Sequence, residues 1–79
     1  MNSTLINFTI GKKEIPVQIT ESNDELGSVD VYAAGYAIDA VYLDFISGGY
    51  RAYSRGKPIR NGIKPSSTIN SAINMALQS

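Results

Sequence analysis

Strict alternation of apolar and polar side chains near the start of this sequence constrains its fold most. Ile6, Phe8 and Ile10 alternate with Asn7 and Thr9, and Ile15, Val17 and Ile19 alternate with Pro16, Gln18 and Thr20. A period of two puts one set on a buried face and the other in water, which is the signature of a half-buried strand. Gly11-Lys12-Lys13-Glu14 lies between the runs and supplies a turn. The two runs therefore predict a β-hairpin. Pro16 cannot donate a ladder hydrogen bond, so its nitrogen must face an open edge or sit at a bulge.

Glu21 to Gly27 is polar and turn-rich and reads as a loop. Val29, Val31 and Ala33 restore the strand phase, and Gly35 then interrupts it, as at a bulge or a close backbone approach. The stretch from Tyr36 to Ile46 fits two templates. As a strand, Val41, Leu43 and Phe45 face one way, and Tyr42 and Asp44 the other. As a helix, Ile38, Val41, Tyr42, Phe45 and Ile46 form one stripe. Its aromatic and β-branched content favours the strand. Ser47-Gly48-Gly49 then serves as a hairpin connection into a last strand from Tyr50 to Ser54.

Between Arg55 and Pro65, the residues Gly56, Pro58, Gly62 and Pro65 give a string of turn signals, with Ile59 and Ile63 expected as single core anchors. Ser66 or Ser67 can cap a following helix. In it Ile69, Ala72, Ile73, Ala76 and Leu77 share one face, and Asn70, Ser71, Asn74, Met75 and Gln78 the other. The expectation is an α+β fold, an antiparallel β-meander of four to five strands with one C-terminal amphipathic helix. At 79 residues, of which 43% are hydrophobic, the chain is expected to form a single domain over 1–79.

Composition removes several chemistries. With no Cys and no His there is no disulfide, and no nucleophilic triad of the Ser-His-Asp or Cys-His kind. Zinc would have to rest on carboxylates alone. Asp39 and Asp44, five residues apart, fall on opposite faces of a strand and read as solvated or turn acids. Gly56-Lys57-Pro58 is not a phosphate loop, since Pro58 stands where Ser or Thr would hold magnesium. The sequence therefore predicts no enzyme, no cofactor and no metal. It has no apolar run long enough for a membrane span. Met1-Asn2-Ser3-Thr4 lacks the features of a signal peptide, so the expected location is cytoplasmic.

Charge is balanced overall but separated along the chain. Residues 1–45 hold all seven acids and two bases, a net of −5, and residues 46–79 hold five bases and no acid, a net of +5. Such a split marks either an interaction surface or two halves that neutralise one another. The candidate partner-binding residues are Tyr50, Arg51, Tyr53, Arg55, Lys57 and Arg60. On a strand Arg51, Tyr53 and Arg55 would share a face, and Arg and Tyr are frequent interface hot spots. The uncharged outer face of the helix is a second contact candidate. The leading expectation is a non-enzymatic binding protein that docks on a larger protein. Its size and lack of His and Cys are similar in character to accessory proteins of phages and other mobile elements, some of which inhibit host defence complexes such as CRISPR effectors. Nucleic-acid binding through the basic 50–64 segment is the alternative, and a structural homodimer formed through the helix is a third.

Overall fold

In the computed structural model, which describes residues 2–21, 27–44, 46–59 and 65–78, the alternating runs pair as expected. Strand β1 (Ser3–Ile10) and strand β2 (Lys13–Glu21) form an antiparallel hairpin with Phe8 opposite Ile15 and Ile6 opposite Val17. Its loop is only Gly11-Lys12, with Gly11 at φ 64°. A glycine at the first of two central positions suits a type II′ connection, whose twist matches that of the strands. Lys13 and Glu14 belong to β2 rather than to the turn. Pro16 lies beyond the last β2–β3 pair, Gln18 with Tyr32, so its missing amide breaks no ladder.

The sheet continues through β3 (Val29–Tyr32), β4 (Ala40–Asp44), β5 (Gly49–Ser54) and β6 (Lys57–Pro58), in sequential order and antiparallel throughout. The architecture is thus an antiparallel α+β meander, with six strands instead of four to five. The additional strand arises in a segment rich in turn signals. Arg55-Gly56 turns the chain back tightly enough for Lys57 to pair with Ser54, and the Ile59 amide donates to the Ala52 carbonyl. The ambiguous 36–46 region resolves as a strand at Ala40–Asp44. Val41 is buried and Tyr42 exposed, as the strand reading requires. Phe45, Arg60 and Ile63 lie outside the described residues. Gly35 marks no bulge and no close approach. It sits at φ 83° in a turn closed by the Tyr36 amide on the Ala33 carbonyl, with open space where a Cβ would be.

One helix, α1 (Ile69–Leu77), covers one face of the sheet and packs on β5, β4 and β1. Ile73 is fully buried, and Ala72 and Leu77 nearly so. Ile69 and Ala76 are half-buried at the margin of the same cluster. The N-cap is Thr68, whose hydroxyl accepts from the Ser71 amide at 3.0 Å, and not Ser66 or Ser67. The reason lies one step earlier in the chain. Ser66 is still extended and exchanges both backbone hydrogen bonds with Tyr50, at 2.8 and 3.0 Å, so the helix cannot begin there. The core is the inward face of the strands (Phe8, Ile15, Val17, Val29, Val31, Val41 and Ala52) closed by the apolar side of α1.

Candidate functional site

Register decides which face each side chain takes, because cross-strand partners share a face. Leu5, Gln18 and Tyr32 form one row on the side away from α1. Thr20, Asp30, Ala40 and Tyr53 form the next, and Tyr42 pairs with Arg51 beyond it. This helix-free face carries the exposed large side chains Leu5 (70%), Tyr32 (65%) and Tyr42 (44%). The Tyr42 and Tyr53 rings meet edge to face, with centroids 5.0 Å apart. That contact restrains both rings at little entropic cost, since tyrosine has few rotatable bonds.

The predicted partner-binding residues divide. Arg51 and Tyr53 lie together on the helix-free face. Tyr50 does not join them: one residue out of phase, it is half-buried against the core. Arg55 is past the end of β5, at φ 53° in the Arg55-Gly56 turn, so the shared strand face with Arg51 and Tyr53 stops at Tyr53. Its amide donates to the Asp39 carboxylate at 2.5 Å. Lys57 is exposed on the other arm of that turn. Arg60 is outside the described residues.

The basic strand is also locally compensated. The Arg51 guanidinium lies 3.3 Å from the Asp44 carboxylate, across the β4–β5 hairpin. Asp44 also accepts from the Ile46 amide at 3.0 Å and the Ser47 amide at 3.4 Å. The Ile46 hydrogen bond foremost, and also Arg51 and Ser47, hold its carboxyl below the ordinary range, while desolvation opposes them. Asp44 thus favours the folded hairpin at neutral pH, and that contribution is lost as pH falls through its depressed pKa. Asp39 and Asp44 are turn-fastening acids, each bonded to the amides of a separate turn. Among the described residues no group of three or more acids is placed to hold a metal ion, and no helix is long and apolar enough to cross a membrane.

Sequence reasoning centred on charge and missed Tyr32 and Leu5. Their signal was available in the alternation, since both occupy the polar phase of their strands while being large and apolar or aromatic. Comparison with family models, curated proteins and solved structures finds no match for this chain.

Proposed function

We propose that this chain is a non-enzymatic binding protein that docks on a larger protein through the helix-free face of its sheet. The observation that carries the reading is the set of exposed Leu5, Tyr32 and Tyr42, with half-buried Tyr53 and Arg51 beside them, on the face of the sheet opposite the main core cluster. Exposed aromatic residues with an ion-paired arginine are the composition of an interface centre. Arg55 stands at the rim. It holds a left-handed conformation that Gly or Asn would adopt at lower cost, which favours a role for its guanidinium. The nucleic-acid alternative is weaker, because Asp30, Asp39 and Asp44 are interspersed with the bases of this region. The character shared with inhibitors from phages and other mobile elements makes host defence complexes the first partner class to test.

A photo-crosslinking residue placed at Tyr32 or Tyr42 is expected to capture one protein species in cells, while the same residue at Asn70 on the helix does not. Capture from Asn70 alone would overturn the proposal. So would binding of generic DNA or RNA that falls steeply with salt, the mark of phosphate contacts.

A further inference from the structure

We infer that β1 is a self-association edge: two copies of the chain pair their β1 strands antiparallel across a two-fold axis and form one continuous sheet. The inference is independent of the docking face proposed above.

The two edges of the sheet differ: beyond β5 there is only the two-residue β6, whereas the opposite edge is a full-length strand. At the β5 end, Ile59 and Ser66 take up the outward carbonyls and amide of Ala52 and Tyr50. At the other end, β1 pairs with β2 alone. The Glu21 amide donates to the Asn2 carbonyl. Antiparallel alternation therefore aims Thr4, Ile6, Phe8 and Ile10 at β2, and the backbone amides and carbonyls of Ser3, Leu5, Asn7 and Thr9 away from it. Among the described residues nothing pairs with them. Natural edges are usually blunted by Lys, Pro, a bulge or brevity. This one is eight residues long, regular in register, and reads Ser-Thr-Leu-Ile-Asn-Phe-Thr-Ile, with none of these protections.

Its sequence suits a second copy in particular. With the two-fold axis at Ile6, Ser3 faces Thr9 of the partner and Leu5 faces Asn7, so all outward backbone groups of the strand are satisfied. On the core side Ile6 meets Ile6 and Thr4 meets Phe8. No charge opposes its own image, which is the usual penalty when a strand pairs with itself. The neighbouring surface matches. Phe8, Asn70, Ser71, Asn74, Met75 and Gln78 line a shallow groove of about 350 Å³ along β1, and it too carries no charge. Because both helices would lie on the same side of the joined sheet, these grooves would face each other across the axis. An interface of ordinary size, which buries about 1,600 Å² in total, needs that second contribution beyond the strand edge.

Light scattering on a sizing column is expected to give about twice the 8.5 kDa of one chain at high micromolar concentration. Asn7→Pro removes an outward donor without touching a β1–β2 hydrogen bond, and it is expected to give a monomer with an unchanged circular dichroism spectrum. If that variant fails to fold, Leu5→Lys, at an exposed position, is expected to weaken the dimer in a salt-dependent way. Because the chain has no cysteine, Ile6→Cys reports the register directly. Cα atoms in a non-hydrogen-bonded pair lie about 4.5 Å apart, so the variant is expected to oxidise to a covalent dimer. A parent that stays monomeric, or a dimer that survives both edge variants and does not crosslink through Ile6→Cys, would overturn the inference.

Discussion

Gly49 is the position where one added methyl group tests the packing of the whole C-terminal half. Its φ is not in the left-handed region, so glycine is not required there for backbone freedom. It is required for space: a Cβ would stand 2.7 Å from the Pro65 Cβ and 2.9 Å from the Ser66 carbonyl oxygen. Real Cβ atoms do not approach backbone that closely, so Gly49→Ala must push the 65–66 segment outward. That segment is held to β5 by the two Tyr50–Ser66 hydrogen bonds, each worth about 0.5–1.5 kcal/mol net. Overpacking adds about 1–3 kcal/mol. The expected loss is therefore about 2–6 kcal/mol if the bridge opens fully, a large share of the roughly 4–12 kcal/mol typical of a domain this size. Urea unfolding followed by circular dichroism measures it, and hydrogen exchange at Tyr50 and Ser66 shows whether the bridge has opened. Gly48→Ala is the contrast, because Gly48 has φ 78° and open space around it. It should cost only the left-handed penalty of about 1–2 kcal/mol and leave the Tyr50 amide protected. Gly49→Ala at parental stability, within about half a kcal/mol, with Tyr50 still protected, would refute the reasoning.

Two further outcomes follow from the same structure. Ile73→Ala should lower the unfolding free energy by about 2–5 kcal/mol in urea titrations, since the side chain is fully buried, and Ile69→Ala at the margin of the core should cost less. Arg55→Asn should raise stability by about 1 kcal/mol in the same assay, because asparagine tolerates the φ of 53° in the Arg55-Gly56 turn; the same variant should weaken any partner contact made at that rim.

Local periodicity made most of the fold legible. The alternation of Ile6, Phe8, Ile10, Ile15, Val17 and Ile19 fixed the first hairpin and its buried face, and the stripe of Ala72, Ile73 and Leu77 fixed the helix. What stayed hidden depended on partners distant in sequence. Ser66 has the residue type of a cap, yet its backbone is committed to Tyr50, and nothing near residue 66 records that. The two-residue strand at Lys57–Pro58 is too short to show a period, and it exists because Arg55 accepts a left-handed conformation that residue type rarely adopts. The candidate site was half legible for the same reason. Charge along the chain drew notice to Arg51 and Tyr53, but their neighbour Tyr42 belongs to another strand, and Tyr32 to a third. Tyr50 was grouped with Arg51 by adjacency, whereas adjacent strand residues face opposite ways.

Each strand of the meander pairs with the one that follows it, and this has a kinetic consequence. Closing a short loop costs little entropy, so the hairpins can assemble one after another from local encounters. The packing of α1 on β1 is different, since it joins residues near position 8 to residues near position 73. That closure spans almost the whole chain, and among the described residues the only backbone pairing next to the helix is the Tyr50–Ser66 bridge, far from β1. Until it happens, Val17, Val31 and Val41 remain open on one side of an otherwise assembled sheet. The docking of α1 across β5, β4 and β1, rather than strand pairing, should set the folding time.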